Sequence, residues 1–198
     1  MVASRIARLQ VLKVFKLRLP STRNLLLTLA TTPCLILLLD EIRFLQSRWS
    51  GQENNSIELF LRAASVRQWI ELILFIAVIP AVCEELLFRG YLLDRLSIQD
   101  QTWRAIMVSS MLFGLFHQGF QILPGATLSG IFFAFLTVRT GSLVNPIVSH
   151  FVVNTWAIVV ANSNVPSVLH WRQNEYVPLI VLAACLVGIV LVGRLLSE

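Results

Sequence analysis

Six apolar runs, at about residues 24–39, 69–88, 103–121, 124–138, 142–161 and 177–193, decide what this 198-residue chain can fold into. Each approaches the roughly 20 residues that a helix needs to cross the hydrocarbon core of a bilayer, the first and fourth falling shortest. Only 14% of the residues are charged, against about 25% in a soluble domain, and the mean hydropathy is +0.74. The expected fold is therefore all-α: a polytopic transmembrane bundle of about six spans, filling residues 24–198 as one unit.

Residues 1–23 precede the bundle and hold six of the sixteen basic residues, Arg5, Arg8, Lys13, Lys16, Arg18 and Arg23. Val2, Ile6, Leu9, Leu12, Phe15 and Leu17 are interspersed with them, a pattern that predicts an amphipathic helix lying on a membrane surface. The net charge of +5 thus points to anionic lipid as a partner rather than to nucleic acid. With the N-terminus inside and six spans, eleven of the sixteen basic residues fall on the cytoplasmic side. The positive-inside rule then predicts a multi-pass protein of the cell membrane with its N-terminus in the cytoplasm.

Residues 40–68 form the one long polar connection, with Ser50 to Ser56 read as a loop and Ile57 to Leu61 as a short interfacial helix. Ala126, Gly130 and Ala134 recur at every fourth position and predict close helix packing, or room for a substrate segment. Cys34, Cys83 and Cys185 have no paired spacing and read as small core residues.

Charge within such runs is expensive, about 2.5–3.5 kcal/mol for each ionised side chain near a helix centre. Glu84, Glu85 and Arg89 nevertheless cluster in the second run. Glu85 and Arg89, four apart, share a helical face and can pair; Glu84 points about 100° away and is left to face another helix or a polar cavity. An unpaired carboxylate in such a place suits a general base. His117 follows Phe113 by four residues in the third run, and His150 and Asn154 are four apart in the fifth, so both must find polar company inside the bundle. Imidazole beside a carboxylate could hold a water or a metal. A histidine and an amide could serve an oxyanion, or simply tie helices together.

The strings Glu84-Glu85-xxx-Arg89, Phe113-xxx-His117 and His150-xxx-Asn154 resemble, in order, the three motifs EExxxR, FxxxH and HxxxN/D of the CPBP family. That family contains the type II CAAX prenyl endopeptidases and the bacteriocin-processing Abi proteins. Arg139 to Leu143 is also similar to it, and the likeness covers a protease-like core at residues 69–161.

The resemblance implies an intramembrane endopeptidase acting on a membrane-associated or lipidated protein. Glu84 would activate water with His117, His150 and Asn154 would stabilise the oxyanion, and Glu85 and Arg89 would support the site. It leaves the cofactor open: Glu84, His117 and His150 could ligate zinc, or the glutamate could act without metal. A non-catalytic membrane scaffold or immunity protein of the same fold is the alternative.

Overall fold

A computed structural model describes residues 17–50, 60–97, 102–117, 119, 122–163 and 177–196. Among the described residues there is no strand, and the chain is a bundle of six helices. Helix α1 is Thr22–Ser50, α2 covers residues 66–96, α3 is Thr102–Phe116, α4 is Leu123–Thr140, α5 is Val144–Asn162 and α6 is Leu179–Leu195. Three of them, α1, α4 and α5, are long and apolar enough to cross a membrane, and α3 and α6 are shorter apolar helices.

Helix α1 is longer than its apolar run. Asp40, Glu41 and Arg43 do not stop it, because Glu41 is buried and its Oε2 accepts a hydrogen bond at 3.1 Å from the backbone N–H of Val177, which leads into α6. The connection expected over 40–68 is shortened accordingly, from both sides: α1 ends at Ser50 and α2 starts at Val66. Ser65 caps α2 by accepting from the Gln68 N–H, while the Gln68 side chain accepts in return from Ala64 N–H at 2.7 Å. The interfacial helix expected at 57–61 lies mostly outside the described residues.

Helix α2 is continuous but not uniform. Two π-helical segments, Ile73–Val78 and Leu86–Leu92, flank an α-helical turn at Ile79–Glu85, and the backbone stays right-handed helical at each junction. Pro80 lies in that central turn, where its missing N–H denies the Ile76 carbonyl its usual i+4 partner.

Hydrogen bonds at the two ends of the bundle show that the helices alternate in direction. At one end Arg18 Nε donates to Gly141 O at 3.0 Å beyond the last turn of α4. Arg139 Nε donates to Gly193 O at 2.8 Å and Arg139 Nη2 to Leu196 O at 3.2 Å, capping α6. At the other, the Asn162 side chain donates to Leu61 O and accepts from Ala63 N–H, both at 2.6 Å. Gly141 ends α4 in the left-handed conformation, φ 58°, which lets the chain turn within three residues into α5.

The amphipathic helix expected over 1–23 falls largely on residues outside those described. Residues 17–21 have no regular structure, and Arg18 is engaged with the bundle. Its carbonyl also accepts from Ser142 Oγ at 2.6 Å.

A polar seam joins α1 to α5. Thr28 Oγ1 donates to Asn145 Oδ1 at 3.1 Å, and Thr32 Oγ1 lies 2.9 Å from Ser149 Oγ. Because the Thr32 hydroxyl also donates to Thr28 O, at 2.8 Å, Ser149 is the donor of that second link. Such bonds hold helices together where lipid offers no competing partner. Beside this seam, Leu35, Phe132, Phe133, Leu136 and Leu196 form the largest buried apolar cluster.

The Ala126 stripe divides by function. Gly130 and Ala134 serve packing, since a Cβ on Gly130 would lie 3.0 Å from Ser110 Cα and Cβ, whereas Ala126 borders a cavity. Gly130→Ala should therefore force α3 and α4 apart and cost roughly 1–3 kcal/mol. Gly188→Ala, where nothing lies within 4 Å of the added carbon, is the control and should be near neutral. Thermal unfolding in detergent compares the two.

Candidate active site

Arg89 is completely buried, and everything in the site is set against it. Its Nη1 donates to Glu85 Oε1 at 2.9 Å, one turn back on α2, and its Nη2 donates to Gly130 O at 3.0 Å on α4. Gly130 is thus required twice: its lack of a side chain admits α3, and its carbonyl takes the guanidinium. The guanidinium carbon also sits 4.2 Å from the centre of the Phe113 ring and 5.4 Å from that of Phe133, so aromatic faces replace part of its lost hydration.

The same Glu85 oxygen meets His150 Nδ1 at 2.9 Å, across 65 positions of sequence. A carboxylate paired with arginine accepts, so Nδ1 of His150 carries the hydrogen. The ring is stacked on Phe133, centroids 4.9 Å apart with 17° between planes, which fixes its tilt. His117 is held by the same logic from another element. It lies just past the end of α3, and its Nδ1 is 2.8 Å from Phe113 O, an atom that can only accept.

Both imidazoles therefore turn Nε2 toward one place, and that place is Glu84. Glu84 Oε2 is 3.7 Å from His117 Nε2 and 4.0 Å from His150 Nε2; the atom is buried and has no hydrogen-bond partner. A single water hydrogen-bonded on both sides at about 2.8 Å closes gaps of this size. Glu84 and Glu85, adjacent in sequence, are thus differently employed. Glu85 is sealed between Arg89 and His150, and Glu84 faces the two rings.

Asn154, one turn beyond His150, donates through Nδ2 to Ile76 O at 3.0 Å. That is the carbonyl Pro80 leaves without its helical partner, so α5 is pinned to α2 at the break in its ladder. One Nδ2 hydrogen remains for other use.

A cavity of about 280 Å³ opens beside these residues, with His117, His150 and Asn154 on its wall and Ala126 and Ser129 of α4 bordering it. The structure thus brings together all six side chains singled out from the sequence: Glu84, Glu85, Arg89, His117, His150 and Asn154. It adds groups that sequence reasoning missed. Arg43 and Gln46 of α1 also line the cavity, and the Ile76 and Gly130 carbonyls are backbone acceptors whose only sequence signals were Pro80 and the absent side chain of Gly130.

Glu84, His117 and His150 are of the right chemical kind for zinc. Ligand atoms about 2.0–2.2 Å from a tetrahedral zinc stand roughly 3.3–3.5 Å apart, closer than the separations found here. Among the described residues no three His, Cys, Asp or Glu side chains converge as a metal-holding group.

Residues 66–156, the segment holding all three motifs, match the family described as type II CAAX prenyl endopeptidase Rce1-like. The match supports the likeness of this core to the CPBP family. A relative with a curated record is "Putative membrane peptidase YdiL" of Bacillus subtilis (strain 168), 27% identical over 126 residues. The match covers 63% of the present chain and 50% of YdiL, so this chain spans half the length of that relative. No solved structure matches the chain.

Removing Arg89 would leave Glu85 as an uncompensated buried charge. Arg89→Ala should destabilise the protein by about 3–5 kcal/mol, and Arg89→Lys, which keeps the charge but not the two-armed reach to Gly130 O, by less. Unfolding midpoints in detergent order the three proteins.

Proposed function

We propose that this protein is an intramembrane endopeptidase that hydrolyses a peptide bond of a membrane-associated or lipidated protein, using a water activated by Glu84. The observation that carries this reading is the buried, unpartnered Glu84 Oε2 facing the Nε2 atoms of two imidazoles whose Nδ1 sides are already committed. The match of residues 66–156 to the Rce1-like endopeptidase family and the resemblance to a protein named as a membrane peptidase support it.

In this mechanism water enters between Glu84 and His117, giving one hydrogen to each as hydrogen bonds. Glu84 takes a proton as the water oxygen attacks the scissile carbonyl, and the C–O bond forms while the carbonyl oxygen becomes an oxyanion. Asn154 offers its second Nδ2 hydrogen to that oxygen. With a proton from solvent on Nε2, His150 donates there too, held by the Glu85 carboxylate on its Nδ1 much as an aspartate holds the histidine of a serine hydrolase. Glu84 then passes its proton to the leaving nitrogen as the C–N bond breaks. The oxyanion groups are fixed before substrate arrives, which is where preorganisation gains most.

The same reading places the protein as a multi-pass component of the cell membrane, N-terminus in the cytoplasm, on the distribution of its basic residues. Arg18 and Arg139 sit at the bundle end where α1 begins and α6 ends, consistent with that orientation.

Glu84→Gln keeps the shape of the side chain and removes its capacity as a base. Cleavage of an S-farnesylated peptide by the purified protein in lipid nanodiscs should fall by about 10²–10⁴-fold with the unfolding midpoint unchanged. Undiminished turnover would remove Glu84 from the chemistry. A parallel series with a chelator separates the metal option: wild-type turnover that persists supports glutamate-activated water alone, and turnover lost to chelator and restored by zinc assigns a metal to Glu84, His117 and His150.

A further inference from the structure

The cavity beside the imidazoles occupies one half of the bundle. Its walls include Ile42 and Gln46 from the last third of α1, His117 just past the end of α3, and Gly125 and Ser129 from the first half of α4. Because the helices alternate in direction, all of these stretches are remote from the bundle end where Arg18 and Arg139 bond to carbonyls. Toward that other end the site is closed by packing. His150 is only about 9 Å along α5 from Val144, at 1.5 Å per residue. Yet Leu143, Asn145 and Ser149 on that approach, with Arg89, Leu136 and Thr137 beside it, have at most 1% of their surface exposed.

Helix lengths agree with this. At 1.5 Å per residue α3 and α4 extend about 22 and 27 Å, less than the roughly 30 Å of a hydrocarbon core, whereas α1 extends about 43 Å. Starting from the closed end, the α3–α4 pair turns back before it reaches the far surface. Backbone that leaves the helix at such depth is tolerated where it is buried in protein or borders a water-filled cavity, and His117 and Ile122, one on either side of the turn, both line this one.

Charge tells the two faces apart. Arg18, Arg23, Arg95, Arg104, Arg139 and Arg194 lie at the closed end, and Arg5, Arg8, Lys13 and Lys16 precede Arg18 in sequence; Arg43, Arg48, Arg62 and Arg67 belong to the open end. The positive-inside rule puts the closed end in the cytoplasm. We infer that the catalytic cleft is entered from the extracytoplasmic face, and that its substrate is a membrane-anchored or lipidated chain whose cleavable segment has already crossed the membrane. The inference rests on the protease reading and names the side on which its substrate is presented. The attacking water and an extended peptide both need a polar route, and the packed half would strip hydration from every backbone group that passed through it.

Labelling with a membrane-impermeant sulfonated thiol reagent tests the route without a substrate. Gln46→Cys and Ser129→Cys each place a thiol in the cavity from a different helix, and Arg194→Cys marks the closed end; the unsubstituted chain, with Cys34, Cys83 and Cys185, sets the background. Each full-length chain is labelled in right-side-out bacterial spheroplasts and in inverted vesicles, and the modified residue is located by peptide mass. A charged reagent avoids the apolar route, so the cavity thiols should react about 10-fold or more faster from outside, and Arg194→Cys faster from inside by a similar factor.

Cavity thiols that react faster from the face that labels Arg194→Cys, equally from both faces, or from neither would overturn the route. Opposite faces with Arg194→Cys outside would overturn the extracytoplasmic assignment. Turnover of the S-farnesylated peptide by the unsubstituted protein in nanodiscs is scored separately. Labelling as expected without turnover strikes the protease reading alone, whereas turnover with labelling from the closed end strikes only the route.

Discussion

The ion pair between Arg89 and Glu85 is the constraint from which the rest of the site follows. Two ionised groups are held where neither touches solvent, and burial of that kind is tolerable only with good geometry and further partners. Arg89 finds them in the Gly130 carbonyl and the Phe113 and Phe133 rings; Glu85 finds His150. The pair therefore links α2 to α4 and α5 directly, and to α3 through an aromatic face. Removing any one partner disturbs groups on four helices.

Helix α2 departs from regular geometry on either side of its acidic residues. π-helical segments occur often at functional sites because the wider turn frees or redirects backbone groups. Here Pro80 adds a second cause, and the carbonyl it leaves open is filled by Asn154 from α5. The amide has a structural bond to make before any chemical one. That explains how a polar side chain between membrane helices can be kept in place while still offering a hydrogen to the cavity.

Much of this was legible in the sequence because helical spacing is a strong rule. Residues four apart share a face, so the pairing of Glu85 with Arg89 and the separate direction of Glu84 followed from position alone. The six helices followed from six apolar runs. What spacing could not supply was any contact between runs: the 65-residue jump from Glu85 to His150 depends on how α2 and α5 cross, and backbone acceptors such as Ile76 O leave no mark on composition. Arg18 and Arg139 read as cytoplasmic charge, yet both donate to carbonyls near helix ends, a role that the positive-inside rule does not distinguish. The continuation of α1 through Asp40, Glu41 and Arg43 was hidden for a related reason, since Glu41 is stabilised by a backbone N–H 136 residues away.

The central claim is that a carboxylate and a carbonyl hold the two imidazoles by Nδ1 so that Nε2 of each is turned to Glu84. ¹⁵N NMR of the histidine-labelled protein in lipid reads this directly, with His117 and His150 assigned by single His→Gln variants. The account predicts a hydrogen on Nδ1 of both rings. A ring at either position protonated only on Nε2, with Nδ1 bare, would contradict it.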